Sequence, residues 1–319
     1  IMSHELEIVN GEAQMAYRLS SGVPWHGLGT AVEDDMTPRE MQVAAGLDWK
    51  VRLEDSYIDI NGERVLTGQQ ALVRDTDNKI LTNVGGKWNP CQNDTAFEFF
   101  NEFVRAGDMV MDTAGSLKDG QIVWASADVK DGFTLFGGDE VKGYLLFSNP
   151  HVYGRSIDCK FVMTRTVCNN TLTMALTEKG QPAVRVSHRN EFDADQVKAA
   201  LGISHMRMGQ FKEAAEFLGK KRYTDESFKN FLGQVFGTSS QEHRTLSRTA
   251  ERAFEIVDTQ PGADFARGTW WNAYNAVTYM TDHELGRSAD ARATSAWFGT
   301  NAKRKVAALD LAVEMAEVA

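Results

Sequence analysis

The chain is poor in the residues that staple or interrupt a fold, with three cysteines and six prolines in 319 residues. Cys91, Cys159 and Cys168 are an odd set without CxxC or CxxxxC spacing. They indicate neither a disulfide framework nor a thiolate zinc site, and they fit a reducing cytoplasm. No run of about 18 apolar residues occurs, and the opening residues lack a basic stretch followed by an apolar one. The expectation is a cytoplasmic protein with no membrane partner. A phosphate loop of the GxxxxGK[ST] type is also missing. The segment Trp25-His26-Gly27-Leu28-Gly29-Thr30 has a GxG ahead of the first credible strand, not the longer dinucleotide fingerprint behind one. None of the seven histidines forms HxxxH, HExxH or HxH, so neither a cofactor nor a metal is expected.

What is present is an ordinary globular composition, 42% hydrophobic and 24% charged, on a chain long enough to bury about three quarters of its extended surface. The formal charge is −10, and residues 1–190 carry most of it. An acidic surface repels phosphate backbones and argues against a duplex binder that works by bulk charge neutralisation. A local basic groove depends on placement rather than on that sum.

Period-2 alternation dominates the first half. Runs at 49–53, 56–60, 64–66, 70–74 and 80–84, with Asn61-Gly62 as a hairpin turn, predict an antiparallel meander. Phe97, Phe100 and Val104 share a face and predict a helix over Asp94 to Val104 that crosses it. Further strands are expected at 109–111, 121–127, 143–148, 161–167 and 183–187. From Phe192 the period changes to about 3.6, with helices expected from Asp193 to Leu218, Asp225 to Phe236, Ser240 to Val257, Thr269 to Leu285, Ala289 to Phe298 and Lys303 to Val318. The fold class is α+β: one curved antiparallel β-sheet with packed helices in the first half and a mainly helical second half. The corresponding division is a packing arm at 1–44, a sheet core at 45–190 and a helical region at 191–319. Trp25, Trp270 and Tyr274 are expected in the core.

Candidate chemistry is sparse. Cys168, after the strand that ends at Val167, is read as a buried hydrophobe rather than a nucleophile. Asp282-His283-Glu284 cannot grip one ion, because neighbours on a helix diverge by about 100°; a polar seam between helices is the reading. Basic residues give a firmer pattern. Lys220-Lys221-Arg222-Tyr223 is a compact basic tract with an aromatic, and Arg244, Arg248 and Arg252 follow at helical spacing. Arg155, Lys160 and Arg165, near Tyr153 and Phe161, add charge and rings along the sheet. These are the expected contacts of a single-strand binder, which needs cations for phosphates and flat side chains for unpaired bases.

A resemblance rests on an ordered set of motifs: Trp25-His26-Gly27-Leu28-Gly29, Trp88-Asn89-Pro90-Cys91-Gln92-Asn93, Val167-Cys168-Asn169-Asn170-Thr171-Leu172 and the stretch from Thr269 to His283. Together they resemble the phage/plasmid-like proteins of a widespread domain family of unknown function. The resemblance covers residues 20–300 and confers no catalytic residue. It implies a gene of a phage, prophage or plasmid, acting in a bacterial cytoplasm. Such genomes encode their own recombination factors, including ring-forming single-strand annealing proteins built on curved antiparallel sheets, an analogy of fold only. The function expected is therefore single-stranded DNA binding, with annealing by a homo-oligomer and without nucleotide hydrolysis. A structural role on a phage or host protein partner and a hydrolase or nuclease activity are the alternatives.

Overall fold

A computed structural model describes residues 6–22, 27–165, 171–172, 184–238 and 245–318. The strands come first: β1 (Ile8–Val9), β2 (Glu12–Ala13), β3 (Met15–Arg18) and β4 (Thr30–Val32), then, after helix α1 (Pro38–Ala44), β5 (Val51–Ile60), β6 (Glu63–Arg74) and β7 (Ile80–Gly85). Two short helices, α2 (Asn93–Glu98) and α3 (Asn101–Ala106), precede β8 (Met109–Leu117), β9 (Ile122–Leu135), β10 (Asp139–Pro150), β11 (Ile157–Arg165), β12 (Thr171–Leu172) and β13 (Val184–Val186). The rest is helical: α4 (Ala194–Lys220), α5 (Asp225–Phe236), α6 (Arg248–Ile256), α7 (Trp270–Tyr279), α8 (Ala289–Phe298) and α9 (Thr300–Glu317). The class is α+β, with helices concentrated in the C-terminal half. Residues 1–130, 144–160 and 184–199 form one compact unit, and residues 131–143, 161–183 and 200–319 form the other.

In the first unit the strand order is β4-β3-β8-β9-β10-β11, with β13 also paired to β11. β3 pairs antiparallel with β8, Ala16 opposite Ala114, and parallel with β4. Residues 15–18 and 30–32, expected in a packing arm, are thus strands of the sheet. The single sheet expected over residues 45–190 is instead two, because β5, β6 and β7 form a separate three-stranded sheet. The chain leaves that sheet at Gly85 and runs without regular structure to α2, so β7 never meets β8. The expected crossing helix is likewise divided, α2 lying on α1 and α3 on β8 of the larger sheet rather than across the meander. Phe99 anchors this packing, with its ring 5.4 Å from Phe147 and 6.2 Å from Phe192.

The Asn61-Gly62 turn forms as expected, with φ of 54° and 87°, the left-handed pair that a two-residue hairpin requires. Register passes from Asp55 opposite Gln70 to Tyr57 opposite Leu66, a bulge that Gly68 permits at φ 76°. Beyond it the β5–β6 ribbon carries Tyr57, Ile58, Ile60, Val65 and Leu66 exposed.

The second unit is built on α7, where Trp270, Trp271 and Tyr274 are buried, as their spacing among apolar neighbours predicts. Phe231 meets Trp270 edge-on at 5.6 Å and Phe211 meets Trp271 at 6.0 Å. Trp271 Nε1 donates to buried Asp139 at 3.1 Å. Trp25, His26 and Cys168 lie outside the described residues. The expected helix to Leu285 changes character at Met280–Glu284, a π-helical turn. Its widened backbone leaves carbonyls that Asn301 Nδ2 caps, at 3.2 Å to Thr281 and 3.4 Å to Leu285. The turn also aims Asp282 at Lys305, whose ammonium is fully buried 2.8 Å from the carboxylate. Burial pulls the Lys305 pKa down while Asp282 opposes that shift. Replacing Lys305 by Ala strands Asp282 in the interior. Urea titration should read a loss of about 3–5 kcal/mol, and Lys305→Met with Asp282→Leu should recover most of it. A single variant as stable as the parent contradicts the buried pair.

Candidate functional site: an aromatic groove in the first unit

The surface chemistry of the first unit converges on a groove of roughly 540 Å3, within the size range of ligand sites. Its floor is one face of the β5-β6-β7 sheet. Gln69 pairs opposite Gly85 and Ala71 opposite Asn83, so alternation puts Gln69, Asn83 and Gly85 on the same side. A Cβ at Gly85 or Gly86 would meet open space, so these glycines keep the floor low. Trp88 and Tyr153 form the walls, ring centroids 6.3 Å apart and 35° from parallel, and Lys87 and Arg189 complete the lining.

Trp88 is held in place from behind. Its amide donates to Gly85 O at 3.0 Å, closing the turn that leaves β7. His188 stacks on the indole at 4.2 Å and 15°. Asn89 N donates to His188 O at 2.6 Å, and Asn89 O lies 3.2 Å from His188 Nδ1. The following side chains fasten the segment to the strands and helices beneath. Gln92 accepts from Val51 N at 3.0 Å and donates to Val51 O at 2.9 Å. Asn93 Nδ2 donates to Leu47 O and Trp49 O, and Asn149 Nδ2 to Cys91 O. Cys91 is buried, which pushes its thiol up to about 12 and makes it a poor nucleophile.

His151 completes this layer. Asn93 gives both amide hydrogens to carbonyls, so its oxygen must accept, and His151 Nε2 donates to it at 3.0 Å. That assigns the Nε2–H tautomer and leaves Nδ1, buried and without a partner, as the bare nitrogen. Burial first, then the charges of His188 and Arg74, lowers the His151 pKa to about 3.

The residues expected from spacing alone are placed elsewhere. Lys220 ends α4 and is exposed, as is Arg222, but Lys221 O accepts from Trp270 N and its ammonium lies 5.7 Å from the Phe217 ring. Tyr223 is packed on Phe228 at 4.7 Å and edge-on to Trp270, and burial pushes its phenol up to about 12. Its ring belongs to the core and offers no stacking platform. Arg244, Arg248 and Arg252 do not share one described helix. Ser247 caps α6 by accepting from Ala250 N, residues 245–247 are non-helical, and Arg244 lies outside the described residues. Arg248 is exposed, whereas Arg252 is committed to Glu284 through Nε at 3.0 Å and Nη2 at 2.9 Å, and to Glu255. On the sheet, Lys160 and Phe161 are buried and present neither charge nor ring to solvent. Arg155 and Tyr153 are exposed, and the Arg165 side chain lies outside the described residues. Among the described residues of the expected set, Tyr153 alone lines the groove.

For hydrolysis, the nearest approach to paired acids is Asp112 and Asp128 on neighbouring strands. Arg18 bridges them, at 2.6 Å to Asp128 and 3.4 Å to Asp112, and Ser21 Oγ donates to Asp112. Burial raises the Asp112 pKa against these partners, so the trio reads as a clamp on the end of β3. Among the described residues no three His, Cys, Asp or Glu side chains gather to hold a metal ion.

The His151 site makes stability depend on pH. Its folded pKa lies below its ordinary value of 6.5, so the unfolded chain binds the extra proton between about 3 and 6.5. Stability is full above that window and falls as pH drops through it, by up to about 1.4 kcal/mol per pH unit for this proton. Burial lowers the His188 pKa too, which adds to the loss in the same direction. His151→Gln keeps a donor for Asn93 and removes the proton. Denaturant titrations from pH 7 to 4.5 should show a shallower acid loss in that variant, and an unchanged slope contradicts the assignment.

No curated protein and no solved structure matches the chain significantly. One family model does, over residues 80–305, more than two thirds of the sequence. The match runs from β7 into α9 and takes in Lys87, Trp88, Tyr153 and Arg189 of the groove together with the Asn93–His151 layer behind it. The chain belongs to the family described as a domain of unknown function, DUF932.

Proposed function

We propose that this protein binds single-stranded DNA and does so through the Trp88–Tyr153 groove. The observation that carries the reading is the pairing of two ring walls with two uncommitted cations. Lys87 and Arg189 are exposed and form no ion pair among the described residues. Arg18, Arg39, Arg52, Arg74, Arg185, Arg252, Arg267 and Lys305 each hold a carboxylate. In so acidic a protein, two unpaired cations beside an exposed tyrosine and a half-buried tryptophan are the arrangement that phosphates and unpaired bases require. A mobile-element origin, and annealing of complementary strands by an oligomer, extend this reading. The exposed apolar ribbon of β5 and β6 favours a second one, in which the protein acts by docking on another protein.

Anisotropy with a fluorescent oligothymidine of about 16 nucleotides tests the first reading. Binding should be stronger than to a duplex of equal length and should weaken steeply with salt. Trp88→Leu should cost about 1–3 kcal/mol, the range of one base–aromatic stack. Lys87→Ala with Arg189→Ala should lower the salt slope by about 1.4, near 0.7 for each phosphate contact to a single strand. No binding at low salt and micromolar protein, from folded material, overturns the reading and leaves the docking role ahead.

A further inference from the structure

The groove has the dimensions of a clamp for one ring, not of a track for many. His188 covers Trp88 at stacking distance, whereas Tyr153 meets the indole farther out and tilted by 35°. Trp88 is therefore backed by His188, and it lines the groove with Tyr153. A base inserted between two rings needs twice the ~3.4 Å spacing of stacked bases, about 7 Å. The Trp88 and Tyr153 centroids are 6.3 Å apart with the rings 35° from parallel, so admitting a base takes a turn and a small outward movement of one ring. Tyr153 can supply that movement, since it is 64% exposed and, among the described residues, its ring meets no ring but Trp88. Its backbone is tied to β7 by its amide, which donates to Thr82 Oγ1 at 3.4 Å. The pair has one fixed jaw and one free one.

We infer that Trp88 and Tyr153 close on a single unpaired nucleobase, with its phosphate toward Lys87 and Arg189, so that a nucleoside monophosphate is the smallest complete ligand. The inference rests on the single-strand reading of the groove and adds its stoichiometry and selectivity. The polar groups on the floor are the side-chain amides of Gln69 and Asn83. Gln69 is exposed, and its side chain has no hydrogen-bond partner among the described residues. Asn83 meets only Ser56 Oγ, at 3.4 Å. An amide presents either its oxygen or its NH2 group by turning over, so this floor satisfies the edge of any of the four bases. The clamp grips by ring and phosphate and tolerates sequence.

Ligand-observed NMR with the intact protein tests this directly, using the adenosine, guanosine, cytidine and thymidine monophosphates, their nucleosides and inorganic phosphate. All four monophosphates should bind in the range of about 0.1–10 mM and within about tenfold of one another. Nucleosides should bind several-fold more weakly, and phosphate alone should give no saturation transfer or competition. Tyr153→Ala removes an exposed side chain without disturbing the core and should weaken monophosphate binding at least tenfold. Strand binding without monophosphate binding, or monophosphate binding unaffected by Tyr153→Ala, overturns the clamp and leaves strand binding standing. Monophosphate binding without strand binding supports the clamp and overturns the single-strand reading. Selectivity above a hundredfold for one base contradicts the tolerant floor.

Discussion

Asn93 is the point on which the architecture of the groove turns. Between β7 and α2 the chain passes from exposed Lys87 to buried Cys91 with no ladder or helix to satisfy its polar groups, and a buried unpaired amide or carbonyl costs more than a typical hydrogen bond returns. Asn149 Nδ2 donates to the buried Cys91 O, and the Asn93 amide fastens the next turn by donating to Leu47 O and Trp49 O while accepting from His151. Gln92 does the same for both backbone groups of Val51. With the segment pinned at that end and Asn89 laced to His188 at the other, Trp88 has little freedom. A rigid aromatic wall follows from a polar network rather than from apolar packing alone, and protonating His151 would place an unpaired charge inside that network.

Charge placement decides where a protein of net charge −10 leaves cations without a carboxylate partner. Several of its arginines are held by carboxylates, two of them in buried clamps. Arg74 holds Glu7 at 2.7 Å and Asp77 at 2.7 Å, and its own pKa is driven up by those bonds. Arg18 joins two strands, and Arg252 ties α6 to the π-helical turn. What remains for a ligand is local and is set by which cations have no acid within reach. Lys87 and Arg189 meet that condition at the groove.

The fold class was legible because it rests on periodicity, which local sequence carries. The Asn61-Gly62 hairpin and α5, found at Asp225–Phe236 where it was expected, follow from turn chemistry and a capping Thr224. The division of the strands into two sheets was not legible, since it depends on where the chain goes after Gly85, and residues 86–92 have no period to read. The site was hidden for a related reason. Lys87, Trp88, Tyr153 and Arg189 are separated by up to about a hundred positions, and only their register in the sheets and loops brings them together. Trp88-Asn89-Pro90-Cys91-Gln92-Asn93 stood out as a motif, and its side-chain amides were the available signal of a pinned segment. The basic tract at 220–223 misled because charge spacing says nothing about burial. Tyr223 was needed by the core, and Arg252 by Glu284.

Ultraviolet crosslinking of the full-length protein to a single strand containing a photoreactive thymine analogue, followed by peptide mapping, locates the base contact without any substitution. The account predicts adducts on Trp88 and Tyr153, suppressed by added salt and by excess unlabelled strand. Adducts confined to residues 220–252, with none on the groove walls, would contradict it.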